Sequence, residues 1–365
     1  MSSYTSGSRL TYSEYLRLNE LLELQSGEIG CEREINNDET HFIIIHQIFE
    51  LWFKLVLSEL RCARNLLMGT HVEESEIPKV VSHLNRVTEI CRLMANQWKV
   101  METLSPQDFL VFRDKLGTAS GFESWQMREL EFLMGLKNNE RDQGMDPLTH
   151  YRKLADENPV YLPGLKRLEE TIKEPSLDEV LQGWLKRTPI QGSFIDDEND
   201  QIIVEDFIGK YIEAMRKLNQ KLLEQTIEHS SVDKKTLEER FNANIKSAEE
   251  YLRPDGKISR SRAGLLFIEA YRDLPLLAWP RKLIDSFVEL EESMVLFRTH
   301  HARMVERIIG RRVGTGGSSG VDYLDATTKY RIFKDLWGVR TILIKKSSLP
   351  EIKNTNMYGF SNTKY

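Results

Sequence analysis

The run Phe42-Ile43-Ile44-Ile45-His46-Gln47-Ile48-Phe49-Glu50-Leu51-Trp52-Phe53-Lys54-Leu55-Val56-Leu57 decides the fold class. It is the most apolar stretch of the chain, yet His46, Gln47, Glu50 and Lys54 interrupt it, so it is no membrane span, which needs about 18 or more uninterrupted apolar residues. Phe42, His46, Phe49, Phe53, Val56 and Leu60 recur at alternating spacings of four and three, the period of one helix face. Helix signals flank it: Asn37 or Asp38 opens the segment and Gly69 closes it after Met68.

The same grammar extends outward. Thr11-Tyr12-Ser13-Glu14 forms a capping box ahead of an amphipathic run to Gln25. Gly27 and Gly30 mark a loop. Helical patterns cover 75–103, 106–116, 122–136, 160–173 and 176–186. The polar stretch 138–160, with Gly144 and Pro147, reads as a loop, and 188–200 as a second break. From 201 to 251, Lys, Glu and Gln alternate with apolar residues as in a helical hairpin partly in solvent. Pro254-Asp255-Gly256 is a turn. A helix over 261–272 follows. Pro280 is placed as the first residue of the next helix, which runs to Ile309 and stops at Gly310. No sustained period-2 alternation and no internal repeat is present. These patterns predict an all-α fold: one large helical bundle over 10–345 with a helical insertion at about 190–255, a flexible N-terminus at 1–9 and a C-terminal tail at 346–365.

Composition narrows the function classes. The chain has 365 residues, 40% apolar and 29% charged, with a net charge of −6. The acidic balance argues against nucleic acid as main partner. Cys31, Cys62 and Cys91 form neither a disulfide framework nor a zinc motif. Met1 to Arg9 is polar with no apolar core, so a signal peptide is not expected there. A cytoplasmic protein with no membrane partner is the expectation.

The long helix after Pro280 carries Leu283, Phe287, Leu290, Met294, Phe297, His301, Met304 and Ile308 on one face. Two apolar seams are therefore each broken by one histidine, His46 and His301. A histidine on such a face is most often a core residue whose nitrogens find protein partners. Two of them on two long helices can also face each other across a planar group. Haem iron takes one such imidazole as axial ligand and leaves the other side for gas or substrate. His300 lies off the seam and is the weaker ligand candidate. A non-haem site wants tightly spaced ligands, and neither stripe has them, although Glu50 follows His46 by four residues.

Other elements carry possible chemistry. Gly314-Thr315-Gly316-Gly317-Ser318-Ser319-Gly320 lacks the lysine of a phosphate loop and follows a helix, not a strand, so it is no nucleotide motif. Its N–H groups and hydroxyls could hold a carboxylate, or it is simply a linker. Phe109 and Arg113 lie four apart: a guanidinium beside a ring could clamp a carboxylate, or make a surface ion pair. Ala119-Ser120-Gly121-Phe122 is a small-residue turn that a flat ligand could approach closely. Tyr12 and Tyr15 lie one turn apart and could cap a pocket or pack in a core.

Together these residues resemble the tryptophan 2,3-dioxygenase family. The resemblance is carried by Leu10-Thr11-Tyr12 with Tyr15-Leu16, Phe42 through Gln47 with Glu50-Leu51-Trp52-Phe53-Lys54, Phe109 with Phe112-Arg113, Ala119 through Phe122, Arg187-Thr188-Pro189, and His301 through Gly310 leading into the glycine loop and Tyr323-Leu324. It spans about 10–345 in consistent order. It implies an enzyme that uses ferrous haem b to insert both atoms of O2 across the indole C2–C3 bond of L-tryptophan, giving N-formyl-L-kynurenine, the first step of tryptophan degradation by the kynurenine route. It implies His301 as the proximal iron ligand and His46 as the distal residue that hydrogen-bonds the indole N–H. It further implies a pocket wall of Phe42, Ile43, Ile44, Ile45 and Phe109, carboxylate binding by Arg113, head-group contact by Thr315, and Ser120, Gly121 and Arg128 beside the haem. In the family Tyr12 and Tyr15 come from a neighbouring subunit, which implies a homotetramer. The stretch before the distal helix, Asn36 to His41, departs from the family pattern, and His41 is expected to point away from the pocket. Two alternatives remain: a broader indoleamine 2,3-dioxygenase, and a haem-free helical interaction protein with structural histidines.

Overall fold

A computed structural model describes residues 9–25, 36–117, 120–141, 146–312, 314 and 320–359. In chain order the α-helices are α1 (Tyr12–Leu16), α2 (Leu18–Leu21), α3 (Asn37–Leu67), α4 (Ile77–Met101), α5 (Pro106–Arg113), α6 (Trp125–Met134), α7 (Pro147–Glu157), α8 (Leu162–Thr171), α9 (Leu177–Lys186), α10 (Asp200–His229), α11 (Lys234–Leu252), α12 (Arg260–Ala270), α13 (Ala278–Ile309), α14 (Val321–Thr327), α15 (Lys334–Ile342) and α16 (Thr355–Tyr358). The fold is all-α. The one β-type pairing among the described residues is the isolated bridge Ile190–Ser193.

The frame is a layer of three long helices. α4 lies between α3 and α13 and packs along both. Each has an apolar stripe: Phe49, Phe53, Val56 and Leu60 on α3; Leu84, Val87, Cys91, Met94 and Trp98 on α4; Leu283, Phe287, Leu290, Met294 and Phe297 on α13, all buried. Burial of large side chains stabilises each by roughly 1.5–3 kcal/mol, so the stripes and not helix propensity fix the arrangement. α5 closes against α3 and α13, and α6 against α3. α9 lies on α12 at Gly264, where an added Cβ would stand 2.3 Å from the Leu185 carbonyl oxygen, so only glycine permits the approach.

The sequence expectations hold for most elements; α14, α15 and α16 lie beyond the last expected helix, and three expected elements differ. The first helix is broken: the Thr11–Glu14 capping box forms as expected, but Arg17 adopts φ 53 and splits α1 from α2. The expected loop at 138–160 contains α7, because Pro147 stands in the first helical turn behind an Asp146 cap, where its missing N–H costs nothing. α13 begins at Ala278, so Pro280 lies inside the first turn and not at its first position.

The α10–α11 hairpin stands on α12 and α15 by its base. The described part of the tail, 346–359, packs on the rest of the fold. Tyr358 is fully buried, receives the Gly192 N–H at 2.8 Å and donates to the Pro189 carbonyl. No helix among the described residues is long and apolar enough to cross a membrane.

Candidate active site

The ends of α3, α4 and α13 splay around a cavity that α5, α6 and the 120–124 turn close. Its wall is mostly apolar: Phe42, Phe49, Phe53, Trp98, Phe109, Leu116, Phe122, Phe297 and Met304. His46 and His301 both line it.

The His46 Nδ1–H donates to the Phe42 carbonyl oxygen at 2.7 Å, one turn earlier on α3. Since a carbonyl only accepts, Nδ1 carries the proton and Nε2 is left as a lone-pair acceptor. Burial keeps the pKa of His46 below its ordinary value, against the Phe42 hydrogen bond, so the ring stays neutral. Its ring centroid lies 4.1 Å from that of Phe42, which also contacts Phe109 and Phe112.

His301 is pushed down to about 3, first by burial and then by the charges of His46 and Arg128. Its imidazole is therefore neutral throughout the physiological range. It stacks on Trp98 with centroids 4.5 Å apart and planes 5° from parallel. Among the described residues neither of its ring nitrogens has a hydrogen-bond partner. His300 differs: its Nδ1–H donates to the Ala95 carbonyl oxygen at 2.8 Å, which ties it to α4.

A buried cationic cluster flanks the cavity. Glu131 pairs with Arg141 at 2.5 Å, Arg128 at 3.1 Å and Arg298 at 3.4 Å. One carboxylate serves three guanidiniums, and burial is opposed by their charge, which holds Glu131 below the usual carboxylate range. Among the described residues, Arg128 Nε, Arg298 Nε, and Arg141 Nε and Nη2 have no hydrogen-bond partner. A buried surplus of positive charge with orphaned donors is costly unless anions complete it. Arg128 also donates to the Tyr323 hydroxyl at 3.3 Å and lies over the Phe122 ring.

These features fit an iron porphyrin. The neutral, unpartnered imidazole of His301 is a ready axial ligand, and the arginine surplus suits the two propionates. The donor set does not suit a bare ion, since no group of three or more His, Cys, Asp or Glu side chains among the described residues could hold one.

Arg113, in the last turn of α5, is half-buried on the cavity wall four residues after Phe109. Ser120 and Gly121 line the wall on the 120–124 turn, where Ser120 Oγ accepts the Phe122 N–H. Gly314 and Gly320 reach the cavity. Thr315, like Ala119, lies outside the described residues.

Not every expected wall residue is there. Ile43, Ile44 and Ile45 are off the cavity face, because helical spacing puts Phe42 and His46 on it together and turns the residues between them away. Ile45 is in the core and Ile44 is 39% exposed. Tyr12 and Tyr15 are about three-quarters exposed and do not reach this cavity. Trp98, Glu131 and Arg298 were not read from sequence. The available signal for Arg298 was an arginine one turn before His301, next to the apolar seam.

The sequence profile described as tryptophan 2,3-dioxygenase matches residues 2–343. The chain belongs to the tryptophan 2,3-dioxygenase family. It is 42% identical to a protein of Ralstonia nicotianae named tryptophan 2,3-dioxygenase 2, over 96% of this chain and 98% of that one. A tryptophan 2,3-dioxygenase of Sorangium cellulosum is 40% identical over 96% of this chain and 87% of its own length. One of Anopheles gambiae is 33% identical over 94% and 88%. Similarity to these tryptophan 2,3-dioxygenases thus runs through α3, α13 and the cavity between them.

Proposed function

We propose that this protein is a haem-dependent tryptophan 2,3-dioxygenase that converts L-tryptophan and O2 to N-formyl-L-kynurenine. The observation that carries the reading is the pair of neutral imidazoles, His46 from α3 and His301 from α13, on one apolar cavity with the Arg113 guanidinium on its wall. Family membership supports it. Both oxygen atoms end in the product as the C2–C3 bond breaks, so the overall reaction needs no external reductant.

His301 would hold the iron, with Ser120, Gly121 and Arg128 beside the macrocycle and the Arg128–Arg298 charges toward its propionates. Ferrous haem b, when bound, supplies the activation of O2. The chain's own residues then place the substrate. Phe42, Phe109 and Leu116 offer an apolar slot for the indole. His46 accepts the indole N–H at Nε2, because Nδ1 already donates to Phe42; its role is to orient, since an indole N–H is a very weak acid. Arg113 pairs with the carboxylate, and Thr315 with the amino-acid head group. The apolar wall excludes water. Tyr12 and Tyr15, exposed on a single chain, would complete the pocket of a neighbouring subunit in a homotetramer. A cytoplasmic location is part of this reading.

The test is an absorption spectrum with and without tryptophan, together with product analysis on the reduced protein. A Soret band that shifts with tryptophan, and N-formylkynurenine as product, are expected. A folded protein that stays colourless after haem is added would instead favour a haem-free interaction protein. Comparable turnover of tryptamine, which lacks the carboxylate that Arg113 reads, would favour a broader indoleamine dioxygenase.

A further inference from the structure

We infer that Trp98 is a positioning residue for the iron-ligating imidazole of His301; the inference rests on the haem reading above. An imidazole held through one nitrogen keeps rotational freedom about its Cβ–Cγ bond. Histidine ligands are ordinarily braced by a hydrogen bond at the second nitrogen. His46, across the cavity, has such a bond on the Phe42 carbonyl, and the neighbouring His300 has one on the Ala95 carbonyl. His301 has none among the described residues. It has a flat indole instead, 5° from parallel and 4.5 Å away. Rotation of the imidazole out of that plane would drive its edge into the Trp98 ring.

Trp98 is itself immobile enough to serve. It is 3% exposed on α4, the helix packed between α3 and α13. Phe49 of α3 lies 4.2 Å from it and Phe297 of α13 lies 5.7 Å away, both tilted about 30°. Its Nε1–H has no hydrogen-bond partner among the described residues. A buried indole that leaves its one polar atom unpaired is retained at a cost.

The test compares haem-loaded wild type with Trp98→Phe, which keeps a smaller ring, and Trp98→Met, which keeps bulk without a plane. Two readouts are taken: the ferrous iron–histidine stretching band by resonance Raman, and the rate of haem transfer to excess apomyoglobin. The expected order of band width is wild type, then Phe, then Met, with haem transfer about tenfold or more faster for Met. A band and a transfer rate in Trp98→Met superimposable on wild type would overturn the assignment. If Trp98→Met does not fold, Trp98→Phe decides: its reduced overlap must broaden the band, and an unchanged band overturns the assignment. Changed thermal stability with an unchanged band also overturns it, since that is what a packing role alone gives. A wild-type protein that takes up no haem would sink the functional reading, a result distinct from any of these.

Discussion

His46 donates its Nδ1 proton to the carbonyl oxygen of Phe42, 2.7 Å away on the same helix. That bond fixes the tautomer, and the tautomer fixes what the cavity is offered: one acceptor at Nε2. Substituting His46→Phe removes the acceptor but keeps a flat ring. The expected result is weaker binding of tryptophan, with little change in binding of 1-methyltryptophan, which has no N–H to give. Titration of the haem spectrum with both ligands checks this. Equal losses for the two would show that His46 is only wall.

Arg113 should act on affinity first. Replacing Arg113→Ala removes a charge-assisted contact of about 1.5–3 kcal/mol. That is roughly a 10- to 150-fold rise in KM. Steady-state kinetics with tryptophan and tryptamine separate the outcomes: the variant should lose its preference for tryptophan. An unchanged preference would remove the carboxylate role from Arg113.

The buried histidines make the haem-free protein acid-sensitive. An unfolded histidine takes up a proton near its ordinary 6.5, whereas folded His301 resists until about 3. Between these values the unfolded state binds more protons, so stability falls as pH falls from 6.5 toward 3. The slope from one such group is at most about 1.4 kcal/mol per pH unit. His46 shifts in the same direction and adds to it. Urea melts of haem-free wild type and His301→Phe from pH 7.5 to 4.5 should diverge, with the variant flatter. Parallel curves would contradict the assigned burial.

Glu131 anchors Arg128, Arg141 and Arg298. Glu131→Leu strands three buried guanidiniums without a counter-charge, and the expected loss is about 3–5 kcal/mol. Glu131→Gln keeps the shape and should fall between the variant and wild type. Chemical denaturation measures both. A neutral Glu131→Leu would mean that water already solvates the cluster.

Gly264 and Gly209 give a paired control on packing. Alanine at Gly264 collides with the Leu185 carbonyl and should cost about 1–3 kcal/mol. Alanine at Gly209 on α10 meets nothing within 4 Å and should stabilise by up to about 1 kcal/mol. Thermal melts that move the same way for both would refute the close α9–α12 approach.

Much of this was legible in the sequence because helices announce themselves locally. Asn36, Ser105, Ser124, Ser176 and Asp233 each cap a helix by a bond to the N–H three residues on. The stripes bearing His46 and His301 follow from periodicity alone. α7 was missed because Pro147, a breaker in a helix interior, is a starter in the first turn, and only the Asp146 cap distinguishes the two. The break at Arg17 has no glycine to announce it. The Trp98–His301 stack joins residues more than 200 positions apart, and the arginines around Glu131 come from three separate segments. No local pattern encodes such meetings; they follow only once α4, α6 and α13 have packed.

The α10–α11 hairpin has a practical consequence. Beyond Asn219 no described α10 side chain is buried, Leu237 is the buried residue of the facing part of α11, and ion pairs one turn apart, such as Lys234–Glu238, lie on the surface. The connection at Ser230–Val232 projects from that end. A fluorophore or affinity handle inserted there would sit on a stalk of the protein's own making, reporting on tumbling and assembly while the catalytic cavity goes undisturbed.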